Sequence, residues 1–145
     1  TRILEEWARA AARRDPAQEP VARGEIALLR ARWPGAEVAV RPETEARLAL
    51  PDPDDVHVLA AAIDGGAVEL LTMNLSDFPT RTLSAEGIVR RDPDGFLVGA
   101  LGQGAGVDAV VARVHATAEG LAGQDWPRRA LLKRARLPRL GKALG

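Results

Sequence analysis

The sequence predicts an α/β fold built around a mostly parallel sheet, and two observations lead to this prediction. Segments with helical periodicity alternate with short, isolated apolar segments that are typical of strands. The clearest unit, between residues 53 and 72, pairs one helix with the strand directly after it. The 145 residues, of which 46% are apolar and 28% charged, suffice for one compact domain with a hydrophobic core.

Two helices are expected in the first 35 residues. The run TRILEEWARAAARR combines strong helix formers with apolar residues at helical spacing, and it ends at Asp15-Pro16. A second helix through VARGEIALLRARW ends at Trp33-Pro34-Gly35. The next segment, AEVAV, predicts a short strand, and RPETEARLALP predicts a loop with one helical turn.

The central unit begins with a strong helix-start signal. Asp52 is placed to cap the helix, Pro53 fits its first position, and Gly65-Gly66 end it. The following AVELLTM predicts a buried strand, NLSDFP a turn and GIVRR a second strand. After this strand, DPDGF predicts a break in regular structure.

The C-terminal third is predicted to be helical and basic. The glycines of GALGQGAG miss the G-x-G-x-x-G nucleotide-binding pattern because Val107 stands at the last glycine position, so a flexible loop is expected. VDAVVARVHATAEGL carries one apolar stripe of a helix, and the tail adds a further helix interrupted at Pro138. We therefore expect a domain at residues 1–98 and a basic helical extension at residues 99–145.

Composition excludes several kinds of site. The chain has no cysteine, which rules out disulfides, thiolate nucleophiles and cysteine-held zinc, so a metal must be bound by oxygen or histidine. The two histidines, His57 and His115, fit no proton-shuttle pattern. No apolar run of 18 residues and no export signal is visible, so a cytoplasmic protein without a membrane partner is expected.

The zero net charge conceals an uneven distribution. The segment from Glu43 to Asp64 contains six acidic residues and one arginine. The segment from Gln124 to Gly145 contains seven basic residues and one acidic residue. The basic tail is either a solvated helix face or a surface that contacts phosphate backbones.

Chain geometry brings acids from separate segments together. The central helix covers about 18 Å at 1.5 Å per residue, and the strand after it returns about 20 Å. Asn74 and Asp77 should therefore arrive beside Asp54 and Asp55, at the carboxyl edge of the sheet. Carboxylates without a nearby lysine or arginine repel one another, and a divalent cation relieves that repulsion. The local alternative is that DPDD only starts a helix, with a capping oxygen and two acids favoured by the helix dipole.

The coupled segments LPDPDDVHVLAAAI, VELLTMNLSDFP and GIVRRDPDGFL resemble the central block of PIN-domain nucleases, close to the VapC-type toxins of bacterial toxin-antitoxin pairs. The most specific part is Asp55 before VLAAA, coupled to TMNLSDF after the strand. The resemblance implies a three-layer α/β/α fold and a metal-dependent endoribonuclease that hydrolyses RNA with metal-activated water. Mg²⁺ or Mn²⁺ is the implied cofactor, because carboxylate oxygens suit hard cations.

The resemblance assigns roles by position in these motifs. Catalytic and metal-binding roles fall on three acids, with an amide as a further metal ligand: Asp55, Asp77 and Glu6, then Asn74. Glu5 takes the place of Glu6 if the register is shifted by one residue. Supporting roles around these ligands fall on Asp52, Asp54 and Thr72. RNA-binding roles fall on Arg81, Arg90 and Arg91.

The family's first strand, which ends in a catalytic aspartate, has no counterpart in these residues. We expect the natural gene to encode it upstream of Thr1. The implied partners are an RNA substrate, a cognate antitoxin protein and a second copy of the chain.

Two other hypotheses use the same acids. A catalytically silent PIN-like scaffold would bind a partner protein or nucleic acid without cutting it. A receiver-like phosphoacceptor domain would also carry paired acids at a sheet edge, but it needs a lysine late in the sheet. The only lysines, Lys133 and Lys142, lie in the tail.

Overall fold

A computed structural model describes residues 2–145 and divides the chain into two compact units. The first unit comprises the chain up to Val68 together with Ser76–Ile88. The second unit comprises Glu69–Leu75 and Val89–Gly145.

The first unit is helical. Its helices are α1 (Arg2–Arg14), α2 (Gln18–Arg32), α3 (Pro42–Ala46), α4 (Val56–Asp64) and α5 (Thr80–Ala85). Helix α1 packs on α2, and α3 packs on α4. The buried apolar side chains of this unit are Ala8, Ala22, Ile26, Leu59, Ala60, Phe78, Leu83 and Ile88. The two helices predicted before residue 35 and the helical turn in RPETEARLALP are confirmed.

The central helix starts and ends at the predicted signals. Asp52 caps it by accepting a hydrogen bond of 2.9 Å from the Asp54 N–H, and Pro53 holds the first position. The first turn, Pro53–Asp55, is a 3-10 turn that leads into α4. Helix α4 ends at Gly65, and Gly66 follows with φ of 65°, a conformation that favours glycine.

The second unit contains a parallel sheet of two short strands, β1 (Glu69–Leu71) and β2 (Val89–Arg91). Leu70 pairs with Arg90 in register. The α/β class and the parallel pairing are therefore as predicted, although β1 is half-exposed and not buried. The strand expected at residues 36–40 was wrong, because that segment joins no ladder with another described strand.

Four helices complete the second unit: α6 (Pro93–Gly102), α7 (Val107–Ala122), α8 (Arg128–Arg134) and α9 (Pro138–Ala143). The expected break at DPDGF is instead the start of α6, because the Asp92 carboxylate accepts a hydrogen bond of 2.9 Å from the Gly95 N–H. Helix α6 runs across the boundary expected after residue 98. It also includes the first glycines of GALGQGAG, and only Gly104 and Gly106 adopt positive φ.

Helix α9 is capped by a side chain of another helix. Its own N-cap residue, Leu137, offers no capping group, and the Asp94 carboxylate of α6 accepts hydrogen bonds from the N–H groups of Arg139 (2.8 Å) and Leu140 (2.9 Å). Burial alone would raise the pKa of Asp94, but these hydrogen bonds more than offset it and the pKa is lowered. This contact fixes α9 to α6 over the buried core of Val107, Leu132 and Leu140.

Among residues 2–145, no helix is long and apolar enough to cross a membrane.

Candidate functional site

Three aspartates of the first unit bring their carboxylates together. One oxygen from each of Asp52, Asp55 and Asp77 lies within 4.8 Å of the other two. Asp52 precedes the 3-10 turn before α4, Asp55 is the last residue of that turn, and Asp77 lies in the loop before α5. Of the four residues that chain geometry predicts to meet, the triad contains Asp55 and Asp77, without Asp54 or Asn74. We call these three carboxylates the aspartate triad.

The pKa of Asp55 is raised by its surroundings. Burial raises the pKa of Asp55, and the carboxylates of Asp52 and Asp77 raise it further. His57 lowers this pKa and Glu6 raises it, so Glu6 also acts on Asp55 through space. An ionised Asp55 is consequently less favourable in the folded chain than in water, and a cation beside it would reverse that preference.

The donor chemistry of the triad fits a hard divalent cation. In an octahedral Mg²⁺ site with bonds of about 2.1 Å, two ligand oxygens are at most about 4.2 Å apart. At most one pair of three ligands can be opposite, and neighbouring ligands lie about 3.0 Å apart. The triad oxygens, which lie within 4.8 Å of one another, would therefore have to move closer on binding a cation, by rotation of exposed or half-buried side chains. All three donors are oxygen, which suits Mg²⁺ or Mn²⁺ without selecting between them.

Glu6 of α1 lies next to His57, two residues after Asp55 in the chain. His57 lies in α4 and is only 4% exposed, and its Nε2 atom is 3.0 Å from Glu6 Oε2. Its Nδ1 atom is 2.7 Å from the Asp54 carbonyl oxygen, which can only accept, so Nδ1 carries the proton. Nε2 is buried without a well-directed hydrogen bond, and the Glu6 contact is therefore a close approach of two polar groups. Sequence reasoning missed this contact.

Glu5, the site acid of the alternative register, is held by an arginine of α2. Glu5 accepts hydrogen bonds of 3.1 and 3.2 Å from Arg23 of α2, and Arg23 also holds Glu19. The Arg23 hydrogen bonds lower the pKa of Glu5. Glu5 thus fastens α1 to α2, and Glu6 is the acid that faces His57.

The remaining predicted site residues are placed as follows. Thr72 and Asn74 belong to the second unit, where Thr72 Oγ1 accepts a hydrogen bond of 3.0 Å from the Asn74 N–H. The Asp54 carboxylate is not part of the triad, whereas Asp52, expected only to support the ligands, contributes an oxygen as well as the helix cap.

The three predicted RNA-binding arginines have different environments. Arg81 lies in α5 of the first unit. In the second unit, Arg90 Nη1 donates a hydrogen bond of 2.5 Å to the Leu75 carbonyl oxygen, and Arg91 pairs with Glu69 of the adjacent strand. The β2 arginines therefore already hold protein partners.

No protein-family model, curated protein or solved structure matches this chain. The assignment of a reaction consequently depends on the motif resemblance, and the assignment of a site depends on the geometry of the triad.

Proposed function

We propose that this protein is a divalent-metal-dependent endoribonuclease of the PIN/VapC toxin type, with Mg²⁺ or Mn²⁺ as its cofactor. The observation that carries the proposal is the convergence of the Asp52, Asp55 and Asp77 carboxylates. The motif resemblance supplies the reaction, since Asp55 and Asp77 occupy the acid positions of the family pattern.

The finer architecture in this proposal is the three-layer α/β/α fold of PIN domains. Parallel pairing of β1 and β2 supports it. So does the order of elements along the chain, in which α4 precedes β1 and α5 lies between the two strands.

The proposed catalytic acids are Asp55, Asp77 and Glu6, with Asn74 as a further ligand. A bound cation would supply Lewis-acid chemistry, by lowering the pKa of water and stabilising negative charge on the phosphodiester. The chain's own contribution is to hold anionic oxygens close together despite their repulsion. Asp52 fixes the start of α4 and adds its carboxylate, and Glu6 lies 3.0 Å from His57 Nε2.

The proposed partners follow from the resemblance. They are an RNA substrate approached by arginines such as Arg81, an antitoxin protein that covers the acids, and a second copy of the chain. A cytoplasmic location belongs to the same proposal.

The test is cleavage of a labelled, structured RNA, with millimolar Mg²⁺, by the natural protein including the upstream strand that the resemblance leads us to expect. We expect cleavage by the wild type, no cleavage with EDTA, and at least about a hundredfold loss of rate in Asp55→Asn and Asp77→Asn. Asp108→Asn, an exposed acid of α7, is the matched control and should cleave like the wild type.

Equal cleavage by the wild type and Asp55→Asn would refute the assignment of the site. Binding of RNA without any cleavage by either protein would instead support the catalytically silent scaffold.

A further inference from the structure

An apolar groove lies between α7 and the α8–α9 pair in the second unit, with a volume of about 360 Å³. Val110 and Val114 line one wall, and Leu131 and Leu137 line the other. Val110 is 48% exposed and Val114 is 58% exposed, so the groove is open to solvent. We call this feature the α7 groove.

The walls of the α7 groove are fixed by polar contacts. The Trp126 N–H donates a hydrogen bond of 3.0 Å to Glu119, and the Trp126 carbonyl oxygen lies 2.5 Å from His115 Nε2, so the segment before α8 is tied to α7. At the opposite wall, Asp94 holds the start of α9. A groove with fixed walls is a preformed site, which binds with little ordering cost.

The wall formed by α8 and α9 carries exposed cations. Arg139 is occupied by Asp92 and Asp94, and Arg134 stacks on the Trp126 ring with 5.4 Å to its centroid. Within the described part of the chain, five other cations of this wall form no ion pair: Arg128, Arg129, Lys133, Arg136 and Lys142. The segment that forms this wall therefore carries unpaired positive charge within a few positions of the residues that line the groove.

We propose that the α7 groove binds an amphipathic helix of a partner protein whose edges carry aspartate and glutamate. A preformed apolar groove accepts a helix that presents apolar side chains at i, i+3 or i+4, and i+7. Acidic residues beside that stripe would meet the unpaired cations of α8 and α9, and this charge complementarity selects the partner. The inference goes beyond the nuclease proposal, because every residue in it belongs to the second unit.

Three other occupants fit the groove less well. A second copy docked symmetrically through the same patch would bring the two sets of cations together. The lining residues include no aromatic ring on which a nucleic-acid base could stack. A membrane surface would need a protruding apolar face, whereas these side chains line a concave one.

The test uses two fluorescent helical peptides with the same leucines at i, i+3, i+4 and i+7, one flanked by glutamates and the other by lysines. Fluorescence anisotropy with the full chain should show saturable binding of the glutamate peptide, weakened by salt. Binding of the lysine peptide should be at least about tenfold weaker.

One substitution probes the apolar lining of the groove, and a second probes the cations of its α8–α9 wall. Val114→Asp and Lys133→Glu should each weaken binding of the glutamate peptide about tenfold. Val21→Asp and Arg14→Glu change residues of the first unit that are also exposed, and they should leave binding unchanged. Circular dichroism of each variant checks that the chain is folded.

The proposal is overturned if both peptides bind equally, if the glutamate peptide shows no saturable binding at millimolar concentration, or if neither groove substitution matters. It is also overturned if Val114→Asp abolishes binding of anionic phospholipid vesicles or of an RNA oligonucleotide while leaving peptide binding intact. Dissociation of a dimer by Val114→Asp in sedimentation experiments would assign the groove to a second copy.

Discussion

Glu6 of α1 and His57 of α4 meet at 3.0 Å, between a carboxylate oxygen and the imidazole Nε2. Glu6 raises the pKa of Asp55 through space, so this contact connects α1 to the aspartate triad. Arg2 adds a hydrogen bond of 3.0 Å to the other Glu6 oxygen. Glu6 thus lies between a buried histidine, which it approaches without a directed hydrogen bond, and an exposed arginine that donates one.

We predict that His57 positions Glu6 for RNA cleavage. His57→Leu should lower kcat about tenfold with little change in KM, because Glu6 loses its buried neighbour while the triad remains. His57→Gln should recover part of that loss, since its amide N–H can donate to Glu6. Steady-state cleavage of a short labelled RNA by each variant measures kcat and KM separately. A change confined to KM, or no difference between the two substitutions, would contradict this role.

Neutralising Asp55 should stabilise the metal-free chain and abolish its response to metal. Asp55→Asn removes a charge that burial and two aspartates disfavour, so we expect Tm in EDTA to rise by up to about 2 °C. Mg²⁺ at ten times its Kd should raise Tm of the wild type by about 4 °C and leave the variant unchanged. Differential scanning fluorimetry checks both effects, with Asp108→Asn as the control. Equal Mg²⁺ shifts in wild type and variant would show that the triad is not the binding site.

Stability at acid pH should depend on Asp64. Its side chain accepts hydrogen bonds from the Arg41 N–H (2.7 Å), Arg41 Nη2 (2.6 Å) and Thr44 Oγ1 (2.8 Å). Hydrogen bonds from the Arg41 side chain and backbone lower the pKa of Asp64 from its ordinary 3.8 to about 2. Because the pKa is lower in the folded chain, the stabilisation is complete above pH 4 and is lost as the pH falls from 4 to 2.

Urea unfolding at a series of pH values measures this effect. Asp64→Asn should lower the free energy of unfolding at pH 7 and flatten its dependence on pH between 4 and 2. Asp15→Asn, an exposed acid between α1 and α2, should keep the wild-type dependence. An unchanged slope in Asp64→Asn would mean that other carboxylates govern acid unfolding.

Replacing Asp94 should loosen the C-terminal helix. Asp94→Asn keeps one acceptor oxygen but loses the charge that receives the Arg139 and Leu140 N–H groups, so we expect a loss of about 2 kcal/mol in the free energy of unfolding. Urea denaturation measures the loss, and Asp108→Asn should change it little. A loss below about 0.5 kcal/mol would show that α9 is held mainly by its apolar contacts.

Local sequence signals predicted elements whose boundaries depend on nearby residues. Asp52-Pro53 was correctly interpreted as a helix start, whereas the same dipeptide at Asp92-Pro93 was interpreted as a break, because the pair is typical of both turns and helix N-termini. The apolar segment at residues 36–40 looked like a strand, but strand formation requires a neighbour to complete the ladder.

One part of the site can be predicted from the sequence, and two contacts between helices cannot. The closeness of Asp55 and Asp77 agrees with the chain geometry read from the sequence, although β1 covers only Glu69–Leu71 and is shorter than that geometry assumes. The contact of Glu6 with His57 depends on how α1 meets α4, and the sequence offers only the closeness of His57 to Asp55 as a signal. Capping of α9 by Asp94 was not predictable, because the acceptor and the donors lie on different helices.

The link between Asp94 and the start of α9 spans 45 to 46 positions of the chain, and α7 and α8 lie within that span. The second unit is therefore closed on itself by side-chain contacts as well as by its backbone. A protease that cuts the glycine-rich turn at residues 103–106 would leave α6 on one fragment and α9 on the other, still joined. Such a nicked protein should elute from gel filtration as one species and separate into two only under denaturing conditions.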